Sequence, residues 1–462
     1  MIITFQEFEK HVADRAKWLG SAIAQYRRSE EYRIAEDADL YEQQENVTIN
    51  NYVKKVYDIT GVAVPDFTST NNRIASNFFH RLTVQRVSYS LGNGVSFASR
   101  KEERNEKNEL VFVDTTKNEL GNKFDDTLYH TALYAVRHGK CYVFDNDGDY
   151  YIFPMTEFLP FLDEETGEIR AGVRFWSLEW RKRPVVVELY EEDGRSTYKT
   201  ASGKYGLGAL ELVEEKKPYK VSVQTSEADG DEPIGGDNYS ALPIAVMYGN
   251  KAGKSCLIGM RANIDAYDMI HSGYANDLSE CAQMYWIINN AAGMDDNDIS
   301  KLRDRMMLQH IVVADETNSS ITPYAQEIPY NSREACLNRI KSSIYRDFGA
   351  LDVENIASQA VTATQIRAAY QAMDEEADDF EYQVNMFVQQ ILALIGIEND
   401  YPIFDRNKIS NEKEETEMVM LAANYLDDET VVRKLPFVSV DEVDGILARK
   451  GNVDREAFET EV

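Results

Sequence analysis

Residues 257–290 read LIGMRANIDAYDMIHSGYANDLSECAQMYWIINN, a stretch without proline that carries a long apolar stripe. The members of the stripe follow one another at alternating spacings of three and four residues. They are Leu257, Met260, Ile264, Tyr267, His271, Tyr274, Leu278, Cys281, Tyr285 and Ile288. Helical periodicity held over this length predicts a long helix that packs against a partner rather than an isolated surface helix.

Two further helices are predicted after this stretch. Asn331 and Glu334 form a capping-box pattern at the start of the first, and Gly349 ends it. The second covers residues 363–395 and would span about 50 Å at 1.5 Å per residue. Two helices that hold a small insert at their far end, followed by a third long helix, indicate a stalk with a structure at its tip.

The insert between the first two helices, residues 293–330, is predicted to contain a short helix at 301–308 and a β-hairpin within 310–329. Asp295-Asp-Asn297-Asp is similar to the start of a calcium-binding loop. It lacks glycine at the sixth position and glutamate at the twelfth, so a helix cap is the better interpretation.

The chain before the stalk divides into a helical part and a β-rich part. Helical spacing of apolar residues recurs at residues 1 to about 45, 71–92 and 124–138, with a charged linker at 101–109. Residues 141–248 alternate with the period of short strands and begin with a hairpin that turns at Asp147-Gly148. An acidic, glycine-rich loop is predicted at 227–237, and a helical, acidic tail from Asp400. Together these patterns predict an α+β protein that is predominantly helical.

Composition indicates a globular protein and excludes several classes. At 462 residues, with 43% hydrophobic and 11% aromatic residues, the chain suits roughly two to four domains. No apolar run approaches the roughly 18–20 residues that span a bilayer, and the N-terminus lacks signal-peptide features. We therefore expect a protein kept inside a cell, without a membrane partner.

The four cysteines form no CxxC pair and the six histidines show no metal-ligand spacing, so we expect no metal and no cofactor.

The net charge of −30 limits any role with nucleic acid. A protein that grips DNA through its phosphates normally carries the opposite charge, because neutralising phosphates supplies most of that affinity. The sequence therefore predicts that any contact with DNA is something other than tight binding.

One loop is similar to a phosphate-binding motif. Gly249-Asn-Lys-Ala-Gly253-Lys254-Ser255 follows a predicted strand and precedes a helix. The motif requires four residues between its glycines and this loop has three, and no convincing aspartate-terminated strand follows to hold magnesium. We expect no enzymatic activity and no catalytic residues, and a nucleotide-dependent enzyme that uses this loop is kept as the alternative.

Several short segments, spread over about residues 70 to 450, occur in an order that is typical of one family. They are Asn71-Asn72-Arg73-Ile74, Asn77-Phe78-Phe79, Tyr89 with Gly92, Asp147-Gly148 with Phe153-Pro154, Leu242-Pro243 through Asn250, Ile264-Asp265-Ala266-Tyr267, Asn276-Asp277, Ala363-Thr364-Gln365-Ile366, Asp427-Asp428-Glu429-Thr430 and Leu435-Pro436. This order resembles the portal proteins of tailed double-stranded-DNA bacteriophages, most closely those of siphophages from Gram-positive hosts. Gln365 and Asp428 depart from it, because the family more often has Glu and Ser there.

The resemblance implies a portal fold with wing, stem, clip and crown, assembled as a ring of about twelve subunits around a central channel. It places these parts as a wing at 1–255 with its β-rich part at 141–248, stem helix 1 at 256–292, a clip at 293–330, stem helix 2 at 331–350, a tunnel loop at 351–362, a tunnel or wing helix at 363–397 and a crown at 398–462.

The function implied by the resemblance is a gate at one capsid vertex, through which the genome is packaged and later ejected. Beside other copies of the chain, the implied partners are double-stranded DNA that passes without tight binding, the terminase large subunit, the major capsid or scaffold protein and a head–tail adaptor. The protein would assemble in the host cytoplasm and reside in the virion. A head–tail structural protein other than the portal is a further alternative.

The resemblance also indicates three sets of site residues. The tunnel loop would face DNA with the polar, uncharged side chains Asn355, Ser358, Gln359 and Thr362. Acidic walls repel a duplex that carries about one negative charge per 1.7 Å, so the channel would be lined by Asp374, Glu375, Asp378 and Asp379. The clip would dock partners through Asp315, Glu316, Thr317 and Asn318. The alternatives are an ordinary interhelical linker for the loop, and contacts with water or neighbouring subunits for the acidic residues.

Overall fold

The chain folds into two compact units, each built from segments that are distant in sequence. The computed structural model describes residues 3–57, 61–66, 69–104, 110–177, 185–200, 207, 210–226, 230–281, 285–289, 297–298, 300–301, 320–324, 330–354, 363–408, 412–438, 442–443 and 445–450. Unit 1 comprises Met1–Glu45, Asn77–Arg261 and Ile344–Val462, and unit 2 comprises Asn46–Ser76 and Ala262–Ser343.

Helices occur in both units. They are α1 (Phe5–Glu9), α2 (Arg15–Tyr26), α3 (Glu30–Glu42), α4 (Val47–Asn50), α5 (Phe78–Leu91), α6 (Thr115–Leu120), α7 (Phe124–His138), α8 (Leu257–Cys281), α9 (Tyr330–Phe348), α10 (Ala363–Ile395), α11 (Glu412–Ala422) and α12 (Asp428–Arg433). Side chains of Ser29, Asp114 and Asp427 cap α3, α6 and α12. Gly139 ends α7 with φ of 96°, and a Cβ there would lie 2.5 Å from the carbonyl carbon of Lys254, so only glycine fits.

The strands form two larger sheets and several two-stranded pairs. They are β1 (Ile3–Thr4), β2 (Lys55–Tyr57), β3 (Ala63–Pro65), β4 (Val95–Phe97), β5 (Arg100–Arg104), β6 (Leu110–Asp114), β7 (Lys140–Asn146), β8 (Asp149–Pro154), β9 (Phe158–Leu162), β10 (Ile169–Ser177), β11 (Val185–Glu191), β12 (Gly194–Thr200), β13 (Leu210–Lys217), β14 (Lys220–Ser226), β15 (Gly230–Asp237), β16 (Ile244–Tyr248), β17 (Tyr285–Asn289), β18 (Ser320–Tyr324) and β19 (Pro402–Phe404). A six-stranded sheet has the order β1-β9-β10-β11-β12-β13, and a three-stranded sheet has the order β16-β7-β8. The two-stranded pairs are β2-β3, β4-β19, β5-β6, β14-β15 and β17-β18.

The main core of unit 1 lies on one face of the six-stranded sheet. Alternate residues of β10 and β11 point to this face, as the period of a strand requires, and they pack against helices α1–α3. The buried cluster includes Phe8, Leu19, Ile23, Tyr26, Tyr32, Phe161, Val173, Phe175, Val187 and Leu189. Burying each of the larger side chains contributes about 1.5–3 kcal/mol, so this face anchors the N-terminal helices.

The opposite face of that sheet is partly covered by the three-stranded sheet. The residues that join them are Tyr142, Phe144, Phe153, Phe158, Tyr190, Leu242 and Ile244. Strand β16 is an edge strand, and its free edge is closed by a side chain of α10. Gln390 Nε2 donates to the carbonyl of Val246 at 3.0 Å, and Val246 N donates to Gln390 Oε1 at 3.0 Å. The amide thus replaces one residue of a missing neighbouring strand.

The turn predicted between β7 and β8 is confirmed. Asn146 pairs with Asp149, and the two turn residues Asp147 and Gly148 have φ of 60° and 87°. Positive φ at both positions defines a type I′ turn, which Asp-Gly favours. The helices predicted at 124–138 and 363–395 have the predicted bounds, and the helices and sheets together agree with the predicted α+β class.

The helix predicted from the opening stretch is shorter than its apolar period. Helix α8 ends at Cys281, and residues 285–289 form β17, which pairs with β18. Of the hairpin predicted within 310–329, residues 320–324 form β18, and the other predicted strand lies outside the described residues. The run Tyr285-Trp286-Ile287-Ile288 is aromatic and β-branched, so it fits a strand although two of its residues continue the helical spacing.

Other predicted boundaries also need correction. The predicted first helix is divided into β1 and α1–α3, the linker predicted at 101–109 includes part of the β5–β6 pair, and the loop predicted at 227–237 includes β15. The tail begins with β19 before it becomes helical. The short helix predicted at 301–308 lies outside the described residues except for Lys301.

Candidate functional site

The acidic part of α10 is the predicted site whose side chains the structure describes. Asp374 is partly buried, whereas Glu375, Asp378 and Asp379 are exposed. The buried face of the same helix includes Tyr370, Met373, Ala377, Phe380, Val384, Phe387 and Ile391. Because these apolar residues recur every three or four positions, they hold the acidic residues toward the other side of the helix.

Arg406 joins three carboxylates on successive turns of α10. Its Nε and Nη2 atoms each donate to a different oxygen of Glu381 at 2.8 Å, a bidentate geometry. Its Nη1 donates to Asp374 at 3.1 Å, and Nη2 also pairs with Asp378. The side chains of Arg406 and Glu381 are only 22% and 13% exposed. This pair is therefore less screened by solvent than an ordinary surface ion pair.

Asp374 receives the largest number of donors in this cluster. Lys408 Nζ donates to it at 2.9 Å, and the hydroxyl of Tyr89 donates from α5. Partial burial would raise the pKa of Asp374, but the hydrogen bonds from Lys408 and Tyr89 and the charge of Lys408 outweigh it and lower the pKa below its ordinary value. The carboxylate therefore stays ionised and joins α5, α10 and the tail.

The tail segment that carries Arg406 is itself fixed in unit 1. Strand β19 pairs with β4, and the buried Asp400 just before it accepts hydrogen bonds from Thr116 Oγ1 at 2.6 Å and from Ala98 N at 3.2 Å. Gln389 of α10 donates to the Asp400 carbonyl. Burial would raise the pKa of Asp400, but these hydroxyl and main-chain donors lower it. The arginine is thus presented to α10 by an ordered segment.

The remaining carboxylates of α10 keep their charge facing solvent. Glu375 accepts from Gln371 Nε2 at 3.3 Å, and Asp379 accepts from the main-chain N of Lys251 at 3.4 Å. Asp378 is 71% exposed although it pairs with Arg406. The predicted set therefore divides into one member that is bound within the fold, Asp374, and three exposed members.

Two side chains of α5 hold the chain that enters the predicted tunnel loop. Gln85 Nε2 donates to the carbonyl of Leu351 at 3.0 Å. Arg86 Nη2 donates to the carbonyl of Phe348 at 2.6 Å and to Glu376 at 2.8 Å, and its guanidinium lies 4.1 Å from the centre of the Phe348 ring. The end of α9 and the acidic part of α10 are therefore joined through α5.

Unit 2 contains a row of hydrogen bonds between α8 and an extended segment. We call it the α8 seam, and it consists of Asn46, Asn72, Ile74, Ser76, Asp268, Ser272 and Asn276. Asn72 N donates to Asn276 Oδ1 at 2.6 Å, Ile74 N to Ser272 Oγ at 3.0 Å and Ser76 N to Asp268 Oδ1 at 2.9 Å. Two extended residues rise about 6.6 Å and four helical residues about 6.0 Å, so the two segments stay in register over three contacts.

Asp268 and Asn46 are the fully buried members of the α8 seam, each with 0% of its surface exposed, and Asp268 is the one that can carry a charge. It accepts from Ser76 N and from Asn46 Nδ2, which also donates to the carbonyl of Ser76 at 3.1 Å. No lysine or arginine among the described residues pairs with it. Burial raises the pKa of Asp268, because its neutral donors do not offset the loss of hydration.

Within unit 2 the helices α8 and α9 are joined by an ion pair. Arg333 of α9 pairs with Asp277 of α8, and its guanidinium lies 5.9 Å from the centre of the Tyr274 ring. Tyr274 belongs to the apolar stripe of the opening stretch. The stripe therefore contacts α9 at this point.

Most main-chain donors of the loop at 249–255 are already bonded within the protein. Asn250 Oδ1 accepts from the main-chain N atoms of Ala252 and Lys254, and the Asn250 carbonyl accepts from Gly253 N at 3.0 Å. Lys251 N donates to Asp379. A phosphate-binding loop needs these N–H groups to point at its ligand, so the internal hydrogen bonds argue against the nucleotide-dependent alternative.

The other predicted site residues lie outside the part of the chain that the structure describes. They are the tunnel-loop residues Asn355, Ser358, Gln359 and Thr362 and the clip residues Asp315, Glu316, Thr317 and Asn318. Among the described residues, no helix is long and apolar enough to cross a bilayer. The same residues contain no group of three or more His, Cys, Asp or Glu side chains placed to hold a metal ion.

Sequence reasoning missed the cationic partners of α10 and the α8 seam. Arg406 and Lys408 could have been noticed as the first two cations of the tail, close in sequence to the acidic helix. The α8 seam had a weaker signal, because Asp268, Ser272 and Asn276 are polar residues at four-residue spacing beside an apolar stripe.

A family model and two relatives agree on one family for this chain. The family described as "Phage portal protein, SPP1 Gp6-like" matches residues 24–456. The portal protein of Bacillus phage SPP1 is 25% identical over 409 residues, and the match covers 83% of this chain and 76% of that protein. The portal protein of Clostridium phage phiCD119 is 23% identical over 442 residues, and the match covers 88% of this chain and 93% of that protein. A solved structure titled "Neck of native GTA particle computed with C12 symmetry" matches 78% of this chain and 89% of its own, at 10% identity and a TM-score of 0.39.

Proposed function

We propose a function for this chain from its family: it belongs to the phage portal proteins of the SPP1 Gp6-like type. The match over residues 24–456 carries the proposal and confirms the family predicted from the order of short segments. Two relatives that span most of the chain are portal proteins of phages from Bacillus and Clostridium. We infer that this chain is the portal subunit through which a phage genome is packaged into the capsid and later ejected.

The proposed assembly is a ring of about twelve copies at one capsid vertex of the virion, formed in the host cytoplasm. Its role is structural rather than enzymatic, and the internally bonded loop at 249–255 supports this. The proposed partners are DNA passing through the channel, the terminase large subunit, the major capsid or scaffold protein and a head–tail adaptor.

Within the subunit we assign the parts as the sequence predicted them. Residues 1–255 are the wing, and 256–292 and 331–350 are the two stem segments, which the Arg333–Asp277 ion pair supports. Residues 293–330 are the clip, and the pairing of β18 within it with β17 at the end of the first stem segment supports a compact insert. Residues 351–362 form the tunnel loop, 363–397 the tunnel helix and 398–462 the crown.

The channel-lining role is proposed for the exposed carboxylates of α10. Glu375, Asp378 and Asp379 keep their charge toward solvent, and such charges would repel a passing duplex and prevent tight binding. Asp374 was predicted with them, but its bonds to Arg406, Lys408 and Tyr89 support a role in holding the helix.

Two further contacts stay proposals that rest on sequence. The tunnel loop would touch DNA phosphates through single hydrogen bonds from Asn355, Ser358, Gln359 and Thr362. The clip would dock the terminase and then the adaptor through Asp315, Glu316, Thr317 and Asn318.

Electron microscopy of the purified chain tests the assembly. We expect rings with an axial hole, of about twelve subunits. A compact monomer at high protein concentration would contradict the proposal.

A packaging assay tests the acidic lining. We expect the triple variant Glu375→Gln, Asp378→Asn, Asp379→Asn to package DNA several-fold more slowly, because a less repellent wall allows phosphates to bind transiently. The matched control is Glu164→Gln, Glu165→Gln, Glu168→Gln, which removes the same charge from an exposed turn between β9 and β10. If both triple variants package at the rate of the wild type, the lining role is wrong.

A further inference from the structure

A cavity of about 220 Å³ lies where the three-stranded sheet stops covering the six-stranded sheet. Its floor is the face of β10–β12 opposite the main core. Its walls include Tyr151 of β8 and Trp176 of β10. Cationic, anionic and aromatic side chains meet there, and Phe144 and Tyr190 of the buried cluster between the two sheets also line the cavity.

Arg174 is held in the cavity by its aromatic neighbours. Its guanidinium carbon lies 4.5 Å from the ring centres of both Phe153 and Trp176. Its one hydrogen bond to a described residue goes from Nη2 to Glu157 at 3.3 Å, and its buried Nε has no partner. Stacking thus fixes the plane of a guanidinium that still has N–H groups to offer.

Arg195 adds a second positive charge at the rim of the cavity. It stands opposite Tyr190 in the β11–β12 register, is exposed, and forms no ion pair with a described residue. Glu188, opposite Arg174 in the β10–β11 register, accepts a hydrogen bond from the Tyr190 hydroxyl at 2.7 Å. The lining therefore carries two guanidinium groups and one carboxylate, and Glu157 pairs with Arg174 from outside the lining, in a chain whose net charge is −30.

We propose that this cavity is a docking site for an acidic side chain of a protein partner, with an apolar or aromatic residue beside it. A guanidinium in a fixed plane matches the two oxygens of a carboxylate. The rings of Trp176 and of Tyr151, which is 48% exposed, give the neighbouring residue an apolar surface.

The size and charge of the cavity favour a peptide over a nucleic acid. Ligand pockets commonly have about 300–1,000 Å³, so a cavity of about 220 Å³ suits one or two side chains better than a nucleotide. Glu188 within the lining and the acidic chain around it also repel a polyphosphate more strongly than a single carboxylate.

Tryptophan fluorescence of the full-length chain tests the proposal with a capped peptide of sequence GEFG as the probe. We expect saturable binding with a dissociation constant on the order of 1 mM, and at least about ten-fold weaker binding of the GQFG peptide. The variant Trp176→Phe should lose the signal, which assigns it to this cavity.

Two variants of one strand locate the charge that binds the peptide. Arg195→Gln should weaken GEFG binding about ten-fold. Lys199→Gln, which removes one cation from the same face of β12 outside the cavity, should not change it. Equal binding of GEFG and GQFG, or no saturation up to about 10 mM peptide, would overturn the proposal. Arg195-dependent binding of a six-nucleotide oligothymidylate tighter than that of GEFG would overturn it in favour of nucleic acid.

Discussion

Asp374 and Asp268 are both aspartates on long helices, and their surroundings give them opposite properties. Asp374 of α10 in unit 1 is bound by two cations and a hydroxyl, and its pKa is lowered. Asp268 of α8 in unit 2 is fully buried, is bound by a main-chain N–H and a side-chain amide, and its pKa is raised. The sign of the shift follows from whether the partners bring positive charge to offset lost hydration.

The two long helices are held in place in two different ways. The cluster around Arg406 joins helices and tail through charges near solvent, and leaves further carboxylates of α10 exposed. The α8 seam joins a helix to an extended segment through neutral donors, which must be placed well because each unpaired one is costly in the interior. We therefore expect the α8 seam to be the more sensitive of the two to a single substitution.

Removing the carboxylate from the α8 seam should have the largest effect. Asp268→Ala leaves Ser76 N buried without an acceptor and leaves Asn46 Nδ2 with one of its two acceptors, the carbonyl of Ser76, and we expect a loss of about 3 kcal/mol in the free energy of unfolding. Urea unfolding measures it, and hydrogen exchange at Asn72, Ile74 and Ser76 should become faster.

Two variants of the same helix sharpen this result. Asp268→Asn keeps an oxygen for Ser76 N and should cost about 1 kcal/mol. Asp265→Ala removes an exposed carboxylate that accepts from Thr48, and should cost less than about 1 kcal/mol. Unchanged exchange at residues 72–76 in Asp268→Ala would show that the seam does not hold this segment.

Removing the arginine from the α10 cluster should have an intermediate effect. Arg406→Met retains much of the side-chain volume but leaves Glu381 and Asp374 without this cation, and we expect a loss of about 2 kcal/mol. Urea unfolding of the full-length chain measures it. Arg433→Met is the matched control, because Arg433 forms an exposed pair with Glu429 that should contribute less than about 0.5 kcal/mol. Equal effects of the two substitutions would mean that the Arg406 cluster behaves as an ordinary surface network.

Local patterns in the sequence predicted much of the fold. Helix α10 was found with its bounds because its apolar face has one period along its whole length and Gly396 follows it. The end of α8 was missed because Tyr285 and Ile288 keep the helical spacing although they lie in a strand. Spacing alone does not separate a short strand from the next helical turn, and here pairing with β18 decides.

Contacts between residues that are distant in sequence limited how much of the site could be predicted. The acidic residues of α10 were visible as a group, but which of them are paired depends on Arg406, 32 residues beyond Asp374. Helix α5 begins at Phe78, later than the predicted start at residue 71, and this difference also results from a contact between distant segments. Residues 72–76 resemble the start of a helix, but their N–H groups are bound by α8, with Ser76 and Asp268 192 residues apart. Local propensity lost to a tertiary contact in this segment.

The pH dependence of stability should distinguish Asp374 from Asp268. Of the predicted effects on stability, we expect this one to be the smallest. The pKa of Asp374 is lowered on folding, so its contribution is present above its ordinary value of 3.8 and is lost as the pH falls through the folded value. The pKa of Asp268 is raised, so its contribution is greatest in acid and declines as the pH rises from 3.8 through the folded value.

Urea unfolding between about pH 3 and 7 measures both contributions. The free energy of unfolding of the wild type should exceed that of Asp374→Asn by an amount that grows with pH. Its excess over that of Asp268→Asn should shrink with pH. Both changes should be smaller than the loss expected for Asp268→Ala. Two differences that change in the same direction with pH would show that charge partners do not distinguish these two sites.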